Sequence, residues 1–288
     1  MQSFHARYAN LSSLYIVFMF YWQCRLVLKE SVDGPAGGKK NSMNEPKIAV
    51  PRNATEATQK VGRASPFSYP IAATLERHEI RSCIEDTGIV PSVAVSSLED
   101  AEFVAEALNG GGIPIVEISL NSPDAVEIVT AIVKRATTTI VGASGVRNVE
   151  VARKCADTGV RFLATDGMIP GFIEFAAKRN LLAIQGALTL TEVISAWDAG
   201  ADFVKIVPCY AVGGHNYIRT LKSTIPEARL IASGGVNQLT AEKYVMAGAS
   251  ALGIGQELIP TEAILLRQKR RIQELARRFL AAVDKGRA

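Results

Sequence analysis

The chain has 288 residues, of which 48% are hydrophobic and 21% charged, and its formal net charge at pH 7 is +4. This composition is typical of a globular protein, and the length allows one large domain or two small ones. Much of the basic excess lies in residues 267–271, where no aromatic residues interleave with it, so we expect no nucleic-acid surface. The periodicity that follows predicts a final amphipathic helix with a basic solvated side.

The cysteine and histidine patterns exclude two further classes of protein. The four cysteines share no Cys-x-x-Cys spacing and indicate a reducing compartment without a disulfide framework. The three histidines form no His-x-His or His-Glu-x-x-His pattern that would gather metal ligands. We therefore expect a cytoplasmic protein that uses neither a metal ion nor another cofactor.

The first seventy residues differ in character from the rest of the chain. An apolar segment, residues 14–22, is about nine residues long and falls short of the roughly twenty that a membrane span needs. No small-residue cleavage site follows it, as a signal peptide would require. Residues 31–70 are polar and contain Gly and Pro, which is typical of a linker. We expect an N-terminal extension over 1–70 without stable membrane insertion, and we favour Met43 as the true start of translation.

From residue 71 onwards a regular alternation of elements predicts a domain that extends to residue 288. A helix over 74–86 precedes the first of eight strand-like apolar runs. These runs are 89–95, 113–119, 139–143, 160–165, 181–185, 202–207, 229–232 and 249–254. Segments with helical periodicity lie between them, including 98–108, 123–134, 149–157, 191–199 and 241–247.

The alternation predicts a parallel sheet of βα units. Glycines close several of the predicted helices just before the next strand, namely Gly111-Gly112, Gly159, Gly200 and Gly248. Eight such units over about two hundred residues fit a single compact (β/α)8 barrel near the lower size limit of that fold. An open, doubly wound sheet is the alternative, but no Gly-x-Gly-x-x-Gly follows the first strand.

Lys205 is the residue that points most directly to chemistry, because it lies within the apolar run 201–208. Burial lowers the pKa of a lysine, and the neutral amine that results can attack a carbonyl carbon to form a Schiff base. The alternative is a lysine at a strand end that extends its ammonium group to water.

Glu117, in the second strand, is the predicted partner of Lys205. Side chains alternate along a strand, so Phe203, Lys205 and Val207 share one face, and Glu117 shares a face with Ser119. If both faces point inward, the amine and the carboxylate meet at the C-terminal mouth of the barrel, where such enzymes have their active sites. A carboxylate there can move the protons that Schiff-base chemistry requires. A purely structural ion pair is the alternative interpretation.

Glycine-rich segments after the last three strands predict a phosphate site. Barrels frequently bind phosphate in the loops after strands seven and eight, where backbone N–H groups and a helix N-terminus converge. The segments are Gly213-Gly214 after the sixth strand, Ser233-Gly234-Gly235 after the seventh and Gly255 after the eighth.

Four segments together resemble the 2-keto-3-deoxy-6-phosphogluconate / 4-hydroxy-2-oxoglutarate aldolase family in order and spacing. They are Val-Glu-Ile-Ser-Leu (116–120), Val-Gly-Ala-Ser-Gly-Val (141–146), Val-Lys-Ile-Val-Pro (204–208) and Ala-Ser-Gly-Gly-Val (232–236). The likeness extends from about residue 90 to residue 260. It implies a metal-free class I aldolase on a (β/α)8 barrel, assembled as a homotrimer. It also implies that Lys205, followed by Pro208, forms the Schiff base, that Glu117 shuttles protons, and that Ser233-Gly234-Gly235 binds phosphate.

Two positions depart from the family pattern, and both belong to the region that holds the pyruvyl carboxylate. Asn121 stands where the family often has arginine or threonine, and Gly145, with Ser144 beside it, stands where the family has threonine. Loss of a guanidinium there removes a charge-assisted pair worth about 1.5–3 kcal/mol. Weaker substrate binding, an altered pose of the carboxylate or a different substrate is the expected consequence.

The sequence thus predicts an aldolase that cleaves a 2-keto-3-deoxy (phospho)sugar acid or 4-hydroxy-2-oxoglutarate into pyruvate and an aldehyde. The expected partner is a small keto acid, in its phosphorylated form. Two other interpretations stay open at this point. One is a phosphate-binding barrel isomerase or epimerase, in which Lys205 acts only as a charge. The other is a non-catalytic relative that binds keto acids, which Asn121 and Gly145 suggest.

Overall fold

The computed structural model of the chain describes residues 74–288, apart from positions 123 and 137. The apolar segment 14–22, the linker over 31–70 and the start at Met43 lie outside the described residues. The division of the chain at residue 70 therefore stays a prediction.

Eight parallel strands form a closed barrel in which each strand pairs with the next and the eighth pairs with the first. The predicted (β/α)8 fold is confirmed, and the open sheet is excluded. The strands are β1 (Ile89–Val93), β2 (Ile115–Ser119), β3 (Ile140–Ser144), β4 (Phe162–Ala164), β5 (Leu182–Ala187), β6 (Phe203–Ile206), β7 (Leu230–Ser233) and β8 (Ala251–Ile254).

Helices connect the strands and cover the outside of the barrel. They are α1 (Arg77–Thr87), α2 (Leu98–Gly110), α3 (Ala125–Arg135), α4 (Val149–Asp157), α5 (Phe172–Lys178), α6 (Leu190–Asp198), α7 (His215–Thr224), α8 (Ala241–Met246), α9 (Thr261–Leu265) and α10 (Lys269–Arg287). A short 3-10 helix, Cys209–Val212, follows β6. Within the described part of the chain, no helix is both long enough and apolar enough to cross a membrane.

Local sequence explains where several of these helices begin. The Ser97 side chain accepts a hydrogen bond from the N–H of Asp100 and caps α2, and Asn148 caps α4 in the same way. Thr189 and Glu192 form a reciprocal capping box at the start of α6. The final helix α10 buries Ile272, leaves its basic residues towards solvent and packs against α2 and α8, as its predicted amphipathic pattern requires.

The barrel interior is filled by large side chains below the C-terminal ends of the strands. Phe162 and Phe203 are fully buried. Gly142 leaves room for the ring of Phe162, because a Cβ at position 142 would overlap that ring. Phe203 lies two residues before Lys205 and shares its face of β6, so the amine stands on a filled core close to the mouth of the barrel.

Candidate active site

The structure brings Lys205 and Glu117 together across the barrel. The Lys205 Nζ lies 3.5 Å from Oε1 of Glu117. The two residues are 4% and 3% exposed, respectively. The predicted inward faces of β2 and β6 therefore meet, and the alternative in which Lys205 extends to water is wrong.

A second carboxylate, which was not among the predicted site residues, also contacts the amine. Asp166 lies in the loop after β4, and its Oδ1 is 2.9 Å from Nζ of Lys205. Its side chain is 61% exposed, in contrast to that of Glu117. The amine thus lies between one buried and one solvent-accessible carboxylate.

The loop that carries Asp166 crosses β5 at Gly186, where the lack of a side chain leaves room for its backbone. Gly186 is the strand-register partner of Lys205. A Cβ at Gly186 would overlap the backbone of Asp166 and Gly167, and it would lie only 2.7 Å from the carbonyl oxygen of Thr165. Only glycine therefore allows this loop to cross the strand next to the amine.

Two buried polar side chains fix the same loop by hydrogen bonds. The Thr165 hydroxyl donates to the carbonyl of Gly167 at 2.8 Å and accepts from the N–H of Gly186 at 2.8 Å. The Gln185 amide donates to Thr165 Oγ1 at 2.9 Å and also to the carbonyl of Gly167. Oε1 of Gln185 is buried and has no hydrogen-bond partner among the described residues. A buried acceptor without a donor costs about 1–3 kcal/mol, so the side chain that holds this loop is retained at a cost in stability.

The charge state of Lys205 differs from the one that burial alone predicts. Burial acts to lower the pKa of the ammonium group. The charges of Glu117 and Asp166, and the hydrogen bonds that Lys205 donates to them, outweigh burial and hold the pKa above its ordinary value. The prediction of a neutral resting amine is therefore wrong. The amine rests as an ammonium and has to lose a proton before it can attack a carbonyl carbon.

On the other side of the mouth, the loops after β2 and β3 line a pocket of about 350 Å³ that includes Asn121, Gly145 and Arg147. Asn121 Oδ1 would lie 3.6 Å from a Cβ at Gly145, whose backbone has a φ of +76°. This backbone disfavours a threonine at position 145, so the departure from the family pattern extends to the main chain. Ser144 ends β3 and is buried, and its carbonyl accepts a hydrogen bond from the N–H of Leu120 at 2.9 Å.

Arg147 brings a cation to this pocket that the sequence analysis did not single out. It is exposed and forms no ion pair with any described residue. Arg147, in the loop after β3, thus provides this pocket with the positive charge that an arginine at position 121 would have supplied.

The loops after β7 and β8 present unused backbone donors. Within residues 74–288, apart from the two undescribed positions, no acceptor pairs with the N–H groups of Gly234, Gly235 and Gly255. Gly234 and Gly235 have φ values of +81° and +82°. The Gly234 carbonyl accepts a hydrogen bond from the N–H of Tyr210 at 3.2 Å, which ties the loop after β7 to the loop after β6. Such N–H groups can bind an anion.

The loop after β6 contributes in a different way from the one predicted. The N–H groups of Gly213 and Gly214 donate to the carbonyls of Tyr210 and Cys209, at 3.4 Å and 3.0 Å. These two amides are therefore engaged, and the prediction that they serve as phosphate donors is wrong for this conformation. Gly214 is instead the N-cap of α7, whose first N–H groups have no acceptor within the helix.

Known proteins similar to this chain identify its family. The family model of the KDPG and KHG aldolases matches residues 80–275, a range that contains all eight strands. The chain belongs to the KDPG and KHG aldolase family. It is therefore an aldolase, which is a lyase.

Relatives of this aldolase are similar to it over most of their own length but over only part of this chain. The KHG/KDPG aldolase of Escherichia coli (strain K12) is 30% identical over 190 residues, which is 66% of this chain and 89% of that protein. A probable 2-dehydro-3-deoxy-6-phosphogalactonate aldolase of Rhizobium meliloti (strain 1021) is 32% identical over 162 residues, 56% of this chain and 76% of that protein. A solved structure of KDPG aldolase from Legionella pneumophila, with pyruvate captured as a covalent carbinolamine, has a TM-score of 0.65 and 24% identity. The similar region covers 68% of this chain and 96% of the Legionella chain, and the similarity shows a shared fold.

Side chains around the start of α7 in the aldolase have packing roles. Cys209, directly after Pro208, is fully buried and its thiol donates to the carbonyl of Gly214 at 3.5 Å. Burial raises the pKa of this thiol to about 11, which favours a packing role over a reactive one. Burial and the neighbouring thiol raise the pKa of Tyr244 to about 12. The ring of His215 meets that of Tyr244 edge-on at 6.1 Å. Among the described residues, no group of three or more His, Cys, Asp or Glu side chains is arranged to hold a metal ion.

Proposed function

We propose that Lys205 is the Schiff-base lysine of this aldolase and that Glu117 moves protons during the reaction. The observation that carries the proposal is the buried amine in contact with carboxylates at the mouth of the barrel. Aldolases of this class need a nucleophilic amine and a positioned acid–base group within hydrogen-bond reach of it. Lys205 and Glu117 meet that requirement.

The reaction starts from a 2-keto acid with a hydroxyl group at C4. The Lys205 amine attacks C2, and loss of water from the carbinolamine leaves an iminium ion. Glu117 accepts the C4 hydroxyl proton, the C3–C4 bond breaks and the aldehyde leaves. The electron pair of that bond is taken up by the iminium to form an enamine. Protonation of C3 and hydrolysis of the imine then release pyruvate and restore Lys205.

We infer that the pocket between the loops after β2 and β3 receives the substrate carboxylate. Asn121, Ser144 and Gly145 are the residues that the family resemblance implies for this role. Arg147 lines the same pocket and supplies a guanidinium, which pairs with carboxylates in a planar, two-pronged geometry. Arg147, in the loop after β3, thereby supplies the guanidinium that the family often has at the position of Asn121.

The opposite side of the mouth suits the distal phosphate of the substrate. The free N–H groups of Gly234, Gly235 and Gly255, the Ser233 hydroxyl and the N-terminus of α7 beyond Gly213-Gly214 offer donors and a favourable dipole. Pro208 begins the loop that leads to this helix. The name of the R. meliloti relative also favours a phosphorylated 2-keto-3-deoxy acid, whereas the name of the E. coli relative includes both KHG and KDPG. We expect 4-hydroxy-2-oxoglutarate, which has no phosphate, to be the weaker substrate.

Two further expectations concern the whole protein. We infer a homotrimer, which sedimentation equilibrium of the full chain tests directly. We also infer a cytoplasmic location, which subcellular fractionation tests.

A coupled assay of pyruvate release tests the proposed function. Lactate dehydrogenase and NADH report pyruvate from phosphorylated and unphosphorylated 3-deoxy-2-keto acids. We expect turnover that is lost in Lys205→Arg, which keeps the positive charge but forms no imine. Pyruvate release retained by that variant would indicate that Lys205 acts only as a charge and forms no imine. Stabilisation by the keto acid without any pyruvate release would indicate the non-catalytic alternative.

A further inference from the structure

We propose that Asp166 is a second catalytic carboxylate, which takes the proton of the Lys205 ammonium before attack and returns it to the departing hydroxyl group. This inference rests on the proposed function of Lys205. It assigns separate roles to the two carboxylates that contact the amine, and it names a residue whose contact with Lys205 depends on a specifically built loop.

The first argument is the geometry of the amine. The Asp166 carboxylate is the nearer acceptor, at 2.9 Å from Nζ, whereas that of Glu117 is at 3.5 Å. Among the described residues, these two are the charged groups within 4 Å of the amine. A proton that leaves Nζ therefore has its shortest path to Asp166.

The second argument is the difference in solvent access. The Asp166 side chain is 61% exposed and that of Glu117 is 4% exposed. A proton accepted by Asp166 exchanges readily with water, whereas one accepted by Glu117 stays inside the closed site. A protonated Glu117 could not then act as a base on the C4 hydroxyl. Removal of the ammonium proton by Asp166 keeps Glu117 ionised for carbon–carbon bond cleavage.

The third argument is that the loop is held for this contact. Gly186 allows the backbone of Asp166 to cross β5, and the hydrogen bonds of Thr165 and Gln185 fix that crossing. Thr165 and Gln185 are both fully buried, and Gln185 leaves one oxygen unsatisfied. An ordinary surface turn has no need of such support.

The proton balance of imine formation is as follows. The first proton moves from the ammonium of Lys205 to Asp166, and the N–H electron pair stays on nitrogen. Nζ attacks C2, and the carbonyl electron pair moves onto the oxygen. Glu117 transfers a second proton from the nitrogen to that oxygen, which gives a neutral carbinolamine. Asp166 then returns its proton to the hydroxyl group, the C–O bond breaks and water leaves. Both carboxylates end ionised, and the nitrogen keeps one hydrogen in the iminium.

The test compares rates of imine formation with pyruvate, which are measured by rapid quenching with cyanoborohydride and mass spectrometry over a range of pH. Wild-type protein has to form the adduct first, since its absence would refute the proposed function itself and not only the role of Asp166. In Asp166→Asn, which keeps the shape of the side chain, we expect the rate at pH 7 to fall on the order of 100-fold. The deficit should shrink as the pH rises, because hydroxide replaces the missing base.

Chemical rescue separates catalysis from structure. In Asp166→Ala, the exposed position admits a small carboxylate, so added formate should restore at least a tenth of the wild-type rate. Glu117→Ala should show no rescue, because that site is closed to solvent. Asp157→Asn is the matched control, an exposed aspartate at the end of α4 that should keep the wild-type rate. The proposal is overturned if Asp166→Asn keeps the wild-type rate and pH profile. It is equally overturned if its deficit is the same at every pH and formate has no effect.

Discussion

The coupling between Lys205 and Glu117 makes a quantitative prediction about stability. Replacement of Glu117 by Gln keeps the shape of the side chain but removes its charge. Breaking a buried ion pair by removal of one partner typically costs about 3–5 kcal/mol. Lys205 keeps Asp166 as a partner at 2.9 Å, so we expect a smaller loss than this, about 2–3 kcal/mol. For a barrel of this size, a loss of this order lowers Tm by about 4–12 °C.

The opposite single change should cost at least as much. Lys205→Met leaves the Glu117 carboxylate buried and without its cation. The double variant Glu117→Gln/Lys205→Met removes both charges and should be no less stable than either single variant, because apolar replacements of buried ion pairs are often neutral. Urea denaturation at pH 7 of all four proteins gives the coupling energy, which we expect to be about 2 kcal/mol.

The raised pKa of Lys205 also determines in which direction the stability changes with pH. The folded pKa of Lys205 is raised above its unfolded value, so the stability that the ammonium contributes is fully present at neutral pH and is lost as the pH rises through the folded pKa. The difference between wild type and Glu117→Gln should accordingly narrow in strong alkali. A coupling energy near zero at pH 7, or a difference that widens in alkali, would show that the two charges do not interact as the geometry indicates.

Three other predictions concern the carboxylate pocket, the phosphate loops and the closed end of the barrel. Arg147→Met should raise KM for the keto acid roughly 10-fold or more with kcat little changed, since a charge-assisted pair worth about 1.5–3 kcal/mol is lost; unchanged steady-state constants would remove Arg147 from the site. Gly235→Ala introduces a Cβ that overlaps the Tyr210 side chain, at a residue whose φ is +82°. KM for phosphorylated substrates should therefore rise more than KM for unphosphorylated ones. An equal rise for both would argue against a phosphate at this loop. Asp202→Asn, at the N-terminal end of β6, weakens contacts with Arg77 at 2.8–3.0 Å and should lower the free energy of unfolding by about 2–4 kcal/mol without a change in kcat. A fall in kcat at the assay temperature, with folding intact, would contradict a purely structural role for Asp202.

Periodicity was enough to predict the barrel and the pairing of Lys205 with Glu117. All eight strands lie within or next to the predicted runs, because strands buried on both sides read as short, uniformly apolar segments. Strand alternation then predicted which side chains of β2 and β6 share a face, and the structure shows that these two faces meet inside the barrel. Helices α5 and α7 were not among the predicted segments. Phe172–Lys178 is short, and His215–Thr224 is largely polar, so neither gives a strong helical signal.

The features of the site that the sequence analysis did not predict depend on contacts between loops. Loops have no hydrophobic periodicity from which such contacts could be predicted. Asp166 lies two residues after the end of β4 and precedes Gly167, and an Asp-Gly pair is typical of an ordinary turn. Its position just beyond the C-terminal end of a strand was the available signal, since the loops there form the mouth of a barrel. The pKa of Lys205 could not be predicted for the same reason. Burial is evident from the sequence, but the second carboxylate that offsets it is not.

The central claim is that the Lys205 amine forms a covalent imine with a 2-keto acid. Borohydride reduction of the full-length aldolase in the presence of pyruvate, followed by peptide mass spectrometry, tests this claim most directly. We predict a reduced pyruvyl adduct on Lys205 and full loss of pyruvate release after trapping. An adduct on another lysine, or an active enzyme that borohydride and pyruvate leave unmodified, would contradict the account.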